Sequence, residues 1–265
     1  MTILKDKLVC SGIEVEVLTL GEGEPLLFLH GGLGPDVPNN DYLYALAKHY
    51  RVIAPYHPGF GHLPRVDKVG EVADLAYLYL DMIEQLGISQ GILVGASFGG
   101  WIAAEMMVRK PDAMSRLVLV SPLGIKVRGR EDRDIEDFFS ITYQEFCGIA
   151  YADPKSGVYN IGELSDDNLA TYFRAQESLA AYGWRPYMHN PNLKHWLHRI
   201  VVPTLLVSGE ADRFVFDGYH HAYANALPKA THQRVAGAGH FPHMEKTEQF
   251  VSLLNQAFNR ETIAS

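Results

Sequence analysis

The stretch ILVGASFGG, residues 92–100, decides the fold because it combines a strand, a turn and a helix start. Its apolar opening predicts a strand buried on both faces of a sheet. The Gly-x-Ser-x-Gly pattern that follows predicts a tight, strained turn, whose flanking glycines leave room for the serine at its tip. Ser97 is therefore predicted to be a nucleophile that projects from the sheet. The N–H of Phe98, at the start of the next helix, is predicted to stabilise an oxyanion.

A glycine-rich loop, HGGLG at residues 30–34, follows the apolar run at 26–29. Glycines allow the backbone to approach a reacting centre and to point an N–H at it. We predict that the N–H of Gly32 is the second oxyanion donor, with that of Leu33 as the alternative. A flexible turn is the other interpretation. A phosphate loop is disfavoured, because neither GxxxxGK[ST] nor a spaced GxGxxG is present.

An acid and a base complete the predicted site. Asp212 follows the apolar run 204–207 in the sequence SGEAD, and His240 lies in GAGHFP before the last predicted helix. A neutral serine is a weak nucleophile: it needs a base within hydrogen-bonding distance, and the base needs an acceptor that fixes its tautomer. We predict that Ser97 attacks an acyl carbon, that His240 transfers the protons and that Asp212 orients His240. Their order along the chain matches one of the known triad orders.

Elsewhere, short apolar runs alternate with helical patterns, which predicts an α/β doubly wound, mostly parallel sheet. Helices are expected over 72–86, 98–110 and about 250–258, and an antiparallel edge hairpin over 7–20.

Residues 124–199, called the cap below, interrupt this alternation, because helices predicted over 132–149 and 165–182 have no strand between them. We predict that the cap is a helical insertion in a core made of residues 1–123 and 200–265. The cap is rich in aromatic residues, which either pack on the core or form an apolar pocket wall. Trp184 is its best candidate for a pocket residue.

Charge and composition exclude several function classes. The formal net charge of −8 argues against a nucleic-acid partner, which needs a clustered basic surface. No apolar run is long enough to span a bilayer, and residues 1–20 do not resemble a signal peptide. Two cysteines far apart favour reduced thiols in a cytoplasmic protein. The expected partner is a small-molecule substrate, without nucleic acid or membrane, and a homo-oligomer is left open.

The HGG loop, GASFGG, GEAD and GAGH, in this order, resemble the α/β-hydrolase fold superfamily, in its lid-bearing serine-hydrolase branch, over essentially the whole chain. The resemblance implies an eight-stranded, mostly parallel central sheet with helices on both faces, a helical lid after the sixth strand, and no cofactor or metal. It also implies the roles given above for Ser97, Asp212 and His240, with Gly32 and Phe98 forming the oxyanion hole.

The chain departs from this family at residues 56–61, YHPGFG, where relatives usually have an aspartate two places before the proline. His57 is considered as a residue of the pocket mouth, although a structural histidine is favoured.

The expected reaction is cleavage of a carboxylic ester or lactone of a small, partly apolar molecule. One alternative is carbon–carbon bond hydrolysis of a ring-fission product, for which Phe241 and Arg185 are loose matches to the family. The other is a small-ligand receptor of the same fold that turns over slowly.

Overall fold

The computed structural model describes residues 2–37, 39–88, 90–157 and 161–258. Of the predicted ranges, residues 158–160 of the cap and residues 1, 38, 89 and 259–265 of the core lie outside the described residues. The strands are β1 (Leu4–Cys10), β2 (Ile13–Leu20), β3 (Pro25–Leu29), β4 (Arg51–Pro55), β5 (Ile92–Ala96), β6 (Arg116–Val120), β7 (Thr204–Gly209) and β8 (Ala230–Val235). The helices are α1 (Asp41–Ala47), α2 (Val72–Gln85), α3 (Phe98–Arg109), α4 (Tyr143–Ala150), α5 (Asp166–Gly183), α6 (Leu193–Trp196), α7 (Tyr219–Asn225), α8 (Pro242–Glu245) and α9 (Thr247–Ala257).

The strands form one eight-stranded sheet in the order β1-β2-β4-β3-β5-β6-β7-β8. The first two pairings are antiparallel, and the remaining pairings are parallel. The predicted mostly parallel sheet and its antiparallel edge hairpin are therefore confirmed. Central strands of such a sheet are covered on both faces, which explains why β5 and β7 are buried along their whole length.

The register of the central strands brings the predicted site together. β3 and β5 are parallel neighbours, with Leu29 opposite Gly95. The HGG loop and Ser97, which follow these two strands, therefore leave the sheet side by side at the same edge. β7, which precedes Asp212, ends at this edge as well, because it runs parallel to β6 and β6 runs parallel to β5. This is the edge at which ligands bind in open parallel sheets.

The cap contains helices and 3₁₀ turns, and no strand among its described residues. The predicted helix over 165–182 is confirmed as α5, with Ser165 as its N-cap. The helix predicted over 132–149 is wrong in its first half, since α4 begins only at Tyr143. Residues before α4 are held in a loop by the buried carboxylate of Asp134, which accepts hydrogen bonds from the backbone N–H groups of Val127 and Arg128.

Side chains of α5 attach the cap to the loop that follows β4. Ser178 and Tyr182 donate hydrogen bonds from their hydroxyls to the carbonyls of Gly59 and Pro58, over 2.7 and 3.0 Å. Arg174 donates to the carbonyl of Gly61 over 2.8 Å. These bonds fix α5 above the sheet edge that carries the site.

Two further expectations from the sequence concern membrane-spanning helices and the two cysteines. No helix within the described part is long and apolar enough to cross a membrane. Cys10 and Cys147 are both buried and unbridged, in agreement with two free thiols.

Candidate active site

Ser97 occupies a tight turn between β5 and α3. Its φ of +53° is rare for a residue with a side chain and shows that the turn is strained. The helix passes so close to β3 that a Cβ on Gly99 would lie 2.1 Å from the carbonyl oxygen of Leu29. Only glycine fits at this position, and the Gly-x-Ser-x-Gly pattern is therefore a steric requirement of the turn.

Ser97, His240 and Asp212 form one chain of hydrogen bonds. Ser97 Oγ lies 2.9 Å from His240 Nε2, and His240 Nδ1 lies 2.8 Å from Asp212 Oδ2. A carboxylate only accepts hydrogen bonds, so Nδ1 carries the proton and Nε2 is free to accept from the Ser97 hydroxyl. Ser97 and His240 are 6% and 1% exposed. The structure thus brings the three predicted residues together, and their catalytic roles are proposed below.

The cap holds the loops that carry the acid and the histidine. At the end of α4, the carbonyl of Ile149 accepts a hydrogen bond from the N–H of Arg213 over 3.0 Å. The next carbonyl, that of Ala150, accepts from the N–H of His240 over 2.5 Å. One helix end therefore fixes the distance between Asp212 and His240.

Asp212 is buried but stays ionised. Burial by itself disfavours the carboxylate, yet the adjacent His240 and His220, which both donate hydrogen bonds to it, hold the pKa of Asp212 well below its ordinary value. The N–H of Phe214 donates a further hydrogen bond to Oδ1 over 3.0 Å. A permanently charged Asp212 can fix the tautomer of His240 and stabilise its protonated form.

Ser97 and His240 open into a cavity of about 670 Å³, including the part open to solvent. Most of its wall is apolar. The cap contributes Phe138, Phe146, Tyr151, Leu179 and Met188. Among the described residues that line the cavity, none is Arg, Lys, Asp or Glu. The cavity therefore suits an uncharged, partly apolar molecule.

The residues predicted to form the oxyanion hole all line this cavity beside Ser97, namely Gly32, its alternative Leu33, and Phe98. Phe98 is the first residue of α3, where a backbone N–H has no acceptor inside the helix. A Cβ on Gly32 would lie 2.8 Å from Leu179 Cδ2, so a larger residue would push against the cap. Gly32 remains our preferred second donor.

The prediction that Trp184 lines the substrate pocket is wrong. Trp184 is 59% exposed, does not line the cavity at Ser97, and contacts Phe139 with ring centroids 5.7 Å apart. The reason is helical geometry: Tyr182 and Gly183 face inward at the end of α5, and a rotation of about 100° per residue turns the next side chain outward.

His57 does not line the cavity either, so its assignment to the pocket mouth is wrong. It is fully buried, stacked on His30 with ring centroids 3.7 Å apart. Its Nε2 donates to the carbonyl of His30 over 2.9 Å, and its Nδ1 accepts from the Tyr79 hydroxyl over 2.6 Å. Burial lowers the pKa of His57 to about 3, so the ring is neutral near pH 7. This is the structural role favoured from the sequence: His57 fixes the backbone that enters the HGG loop.

Sequence reasoning missed two histidines beside the site. His220 donates a hydrogen bond to Asp212, and His243 lines the cavity next to His240. A loop separates Asp212 from His220, which lies at the start of α7. This spacing matches no recognisable sequence motif. Asp212, His220 and His240 have potential metal-ligand atoms within 4.8 Å of one another. Hydrogen bonds to the shared carboxylate already account for this spacing.

Comparison with known proteins gives a family match. Residues 26–253 match the model of the alpha/beta hydrolase family. The chain is 35% identical over 267 residues to 2-hydroxymuconate semialdehyde hydrolase of Pseudomonas sp. (strain CF600), covering 94% of this chain and 91% of that protein. It is 28% identical to a region of the polyketide synthase ThaQ of Burkholderia thailandensis, of which it spans only 12%.

Two kinds of solved structure have similar folds. A meta-cleavage product hydrolase from Pseudomonas fluorescens IP01 superposes with a TM-score of 0.78 at 22% identity, over 96% of this chain and 97% of that chain. The esterase RhEst1 from Rhodococcus sp. ECU1013 superposes with a TM-score of 0.74 at 20% identity, over 98% and 99% of the two chains. At these identities the likeness shows a shared fold.

Proposed function

Because the chain belongs to the alpha/beta hydrolase family, we propose that it hydrolyses a carboxylic ester or lactone of a small, partly apolar molecule through an acyl-enzyme on Ser97. One observation carries this proposal: the hydrogen-bonded chain of Ser97, His240 and Asp212 opens into a cavity whose described lining includes no Arg, Lys, Asp or Glu.

In the acylation step, Ser97 Oγ forms a bond to the carbonyl carbon while its proton passes to His240 Nε2, which lies 2.9 Å away. The negative charge that develops on the carbonyl oxygen is stabilised by the N–H groups of Phe98 and Gly32. The carbon–oxygen bond of the ester then breaks, and the leaving alcohol takes the proton from His240. Asp212 remains a carboxylate throughout and stabilises the protonated ring.

In the deacylation step, water forms the new bond to the acyl carbon and gives its proton to His240. The bond to Ser97 Oγ then breaks, and the proton returns to Ser97. The apolar wall contributed by the cap excludes other water and favours apolar acyl or alcohol groups, by roughly 0.8 kcal/mol for each buried CH₂.

Carbon–carbon bond hydrolysis is the second candidate, supported by the likeness to 2-hydroxymuconate semialdehyde hydrolase and by Phe241 in the cavity wall after His240. The substrate in that relative's name carries a carboxylate. Here Arg185 is exposed and away from the cavity, and no described lining residue is Arg or Lys. Burying a carboxylate without a cationic partner is unfavourable, and this favours the neutral ester or lactone.

A substrate panel tests the proposal. It comprises p-nitrophenyl acetate, butyrate and octanoate, a neutral lactone, and a 2-hydroxy-6-oxo-dienoate ring-fission product, each assayed with the wild type and with Ser97→Ala. We expect turnover of esters or the lactone, an initial burst that reports the acyl-enzyme, and no turnover by Ser97→Ala.

Faster cleavage of the dienoate than of every ester would overturn the ester assignment and support the second candidate. A wild-type protein that binds these molecules but turns none over, while still reacting with a fluorophosphonate, would indicate the slow receptor instead.

A further inference from the structure

Asp212 accepts hydrogen bonds from two histidines at the same oxygen. His240 Nδ1 lies 2.8 Å from Oδ2, and His220 Nε2 lies 3.1 Å from it. His220 is the second residue of α7, and its side chain is only 8% exposed. Because the carboxylate can only accept, the Nε2 of His220 must carry a proton.

The other nitrogen of His220 has no partner among the described residues. Nδ1 is buried and makes no hydrogen bond in the described part of the chain. Leaving a buried polar atom unpaired is unfavourable for stability, whereas a leucine of similar volume would avoid that penalty. Stability alone therefore does not account for a histidine here, and the bond from Nε2 to Asp212 does.

The surroundings favour a neutral His220. The charged and titratable groups around it are Asp212, His240, Arg234, His232, His221 and Asp217. Burial lowers the pKa of His220, and the hydrogen bond to Asp212 offsets this only in part. A neutral ring with its proton on Nε2 is a fixed donor to Asp212.

Asp212 and His220 also line a second cleft, which does not include Ser97 or His240. The side chain of Asp212 is 3% exposed despite this cleft. His220 therefore donates to Oδ2 at this second cleft, where water would otherwise compete for the same oxygen.

We propose that His220 is a positioning residue for the hydrolytic reaction: its Nε2–H holds Asp212 in line with His240 and moderates the attraction of the carboxylate for the protonated ring. Without this donor, the negative charge on Asp212 Oδ2 is less compensated, and it stabilises the protonated form of His240 more strongly. The acid limb of the activity profile then moves to higher pH, because only neutral His240 accepts the proton of Ser97. This inference rests on the proposed function.

Three variants test it with a p-nitrophenyl ester that the wild type cleaves. His220→Leu removes the donor at similar volume, His220→Gln keeps an N–H at similar reach, and His221→Leu is the matched control at the exposed neighbour. For His220→Leu we expect kcat to fall about 10-fold and the acid limb of kcat/KM to rise by roughly half a pH unit. His220→Gln and His221→Leu should keep the wild-type profile.

The inference is wrong if His220→Leu keeps the wild-type acid limb, or if His220→Leu and His220→Gln change it equally. Thermal unfolding of each variant separates misfolding from loss of the donor. If His220→Leu does not fold, His220→Asn, whose amide falls short of Asp212, takes its place. Ser97→Ala distinguishes failure of the proposed function from failure of the role of His220. Wild-type turnover by Ser97→Ala refutes the proposed function itself. An inactive Ser97→Ala, together with His220 variants that keep the wild-type profile, refutes only the role of His220.

Discussion

Replacing Asp212 with asparagine tests the geometry of the site more sharply than deleting the side chain. The carboxylate accepts three N–H groups, from Phe214 at Oδ1 and from His240 and His220 at Oδ2. Asparagine offers only one oxygen. If this oxygen accepts from the N–H of Phe214, the amide NH₂ faces His240. The NH₂ then forces the His240 tautomer that is protonated on Nε2, and this nitrogen can no longer accept the Ser97 proton. If the oxygen instead accepts from the two histidines, the NH₂ group faces the N–H of Phe214, and two donors lie against each other without an acceptor.

The first orientation breaks the chain of hydrogen bonds, and the second sets two donors against each other, so we expect kcat to fall on the order of 10⁴-fold, about 5.4 kcal/mol in the activation barrier. KM should change little, because Asp212 does not line the cavity. The assay is steady-state hydrolysis of the best p-nitrophenyl ester, with thermal unfolding as a check of folding. Glu210→Gln is the matched control, since Glu210 is exposed two residues before Asp212. A crippled Glu210→Gln beside a nearly wild-type Asp212→Asn would refute the assignment of the acid.

Three further predictions concern the cavity, acid stability and the turn. Leu179→Ala should raise kcat/KM for octanoate relative to acetate esters and destabilise the fold by about 2–5 kcal/mol, whereas Trp184→Ala should leave the ester ratio unchanged. Burial lowers the pKa of His243 from 6.5 to about 3. As the pH falls, His243 is therefore protonated in the unfolded chain before it is protonated in the folded protein, which favours unfolding. Urea unfolding should show stability falling between those pH values, less steeply in His243→Phe. Gly99→Ala should fail to fold, unlike Gly148→Ala, where a Cβ meets nothing within 4 Å; normal thermal unfolding of Gly99→Ala would contradict the steric argument.

The central part of the fold could be predicted from the sequence because its signals are local. A short, continuous apolar run predicts a strand buried on both faces, and Gly-x-Ser-x-Gly identifies a turn that few other sequences can make. Parallel pairing then brings the carboxyl ends of neighbouring strands together, which explains why Ser97, Asp212 and His240 meet although they are far apart in the chain.

Other features depend on tertiary contacts and escaped prediction. β8 has no continuous apolar run, because it is an edge strand with exposed residues along much of its length. The outward direction of Trp184 depends on where α5 ends, and the pairing of His220 with Asp212 depends on how α7 packs. The loop before α4 follows from the hydrogen bonds of Asp134, which compete with helix formation.

The most direct test of the central claim is to locate the nucleophile. The wild type and Ser97→Ala are treated with a fluorophosphonate, their intact masses are measured, and the labelled peptide is sequenced by mass spectrometry. We predict one label per wild-type chain, on Ser97, with complete loss of esterase activity, and neither label nor activity in Ser97→Ala. A label on another residue, or an unlabelled Ser97→Ala that hydrolyses esters at the wild-type rate, would contradict the account.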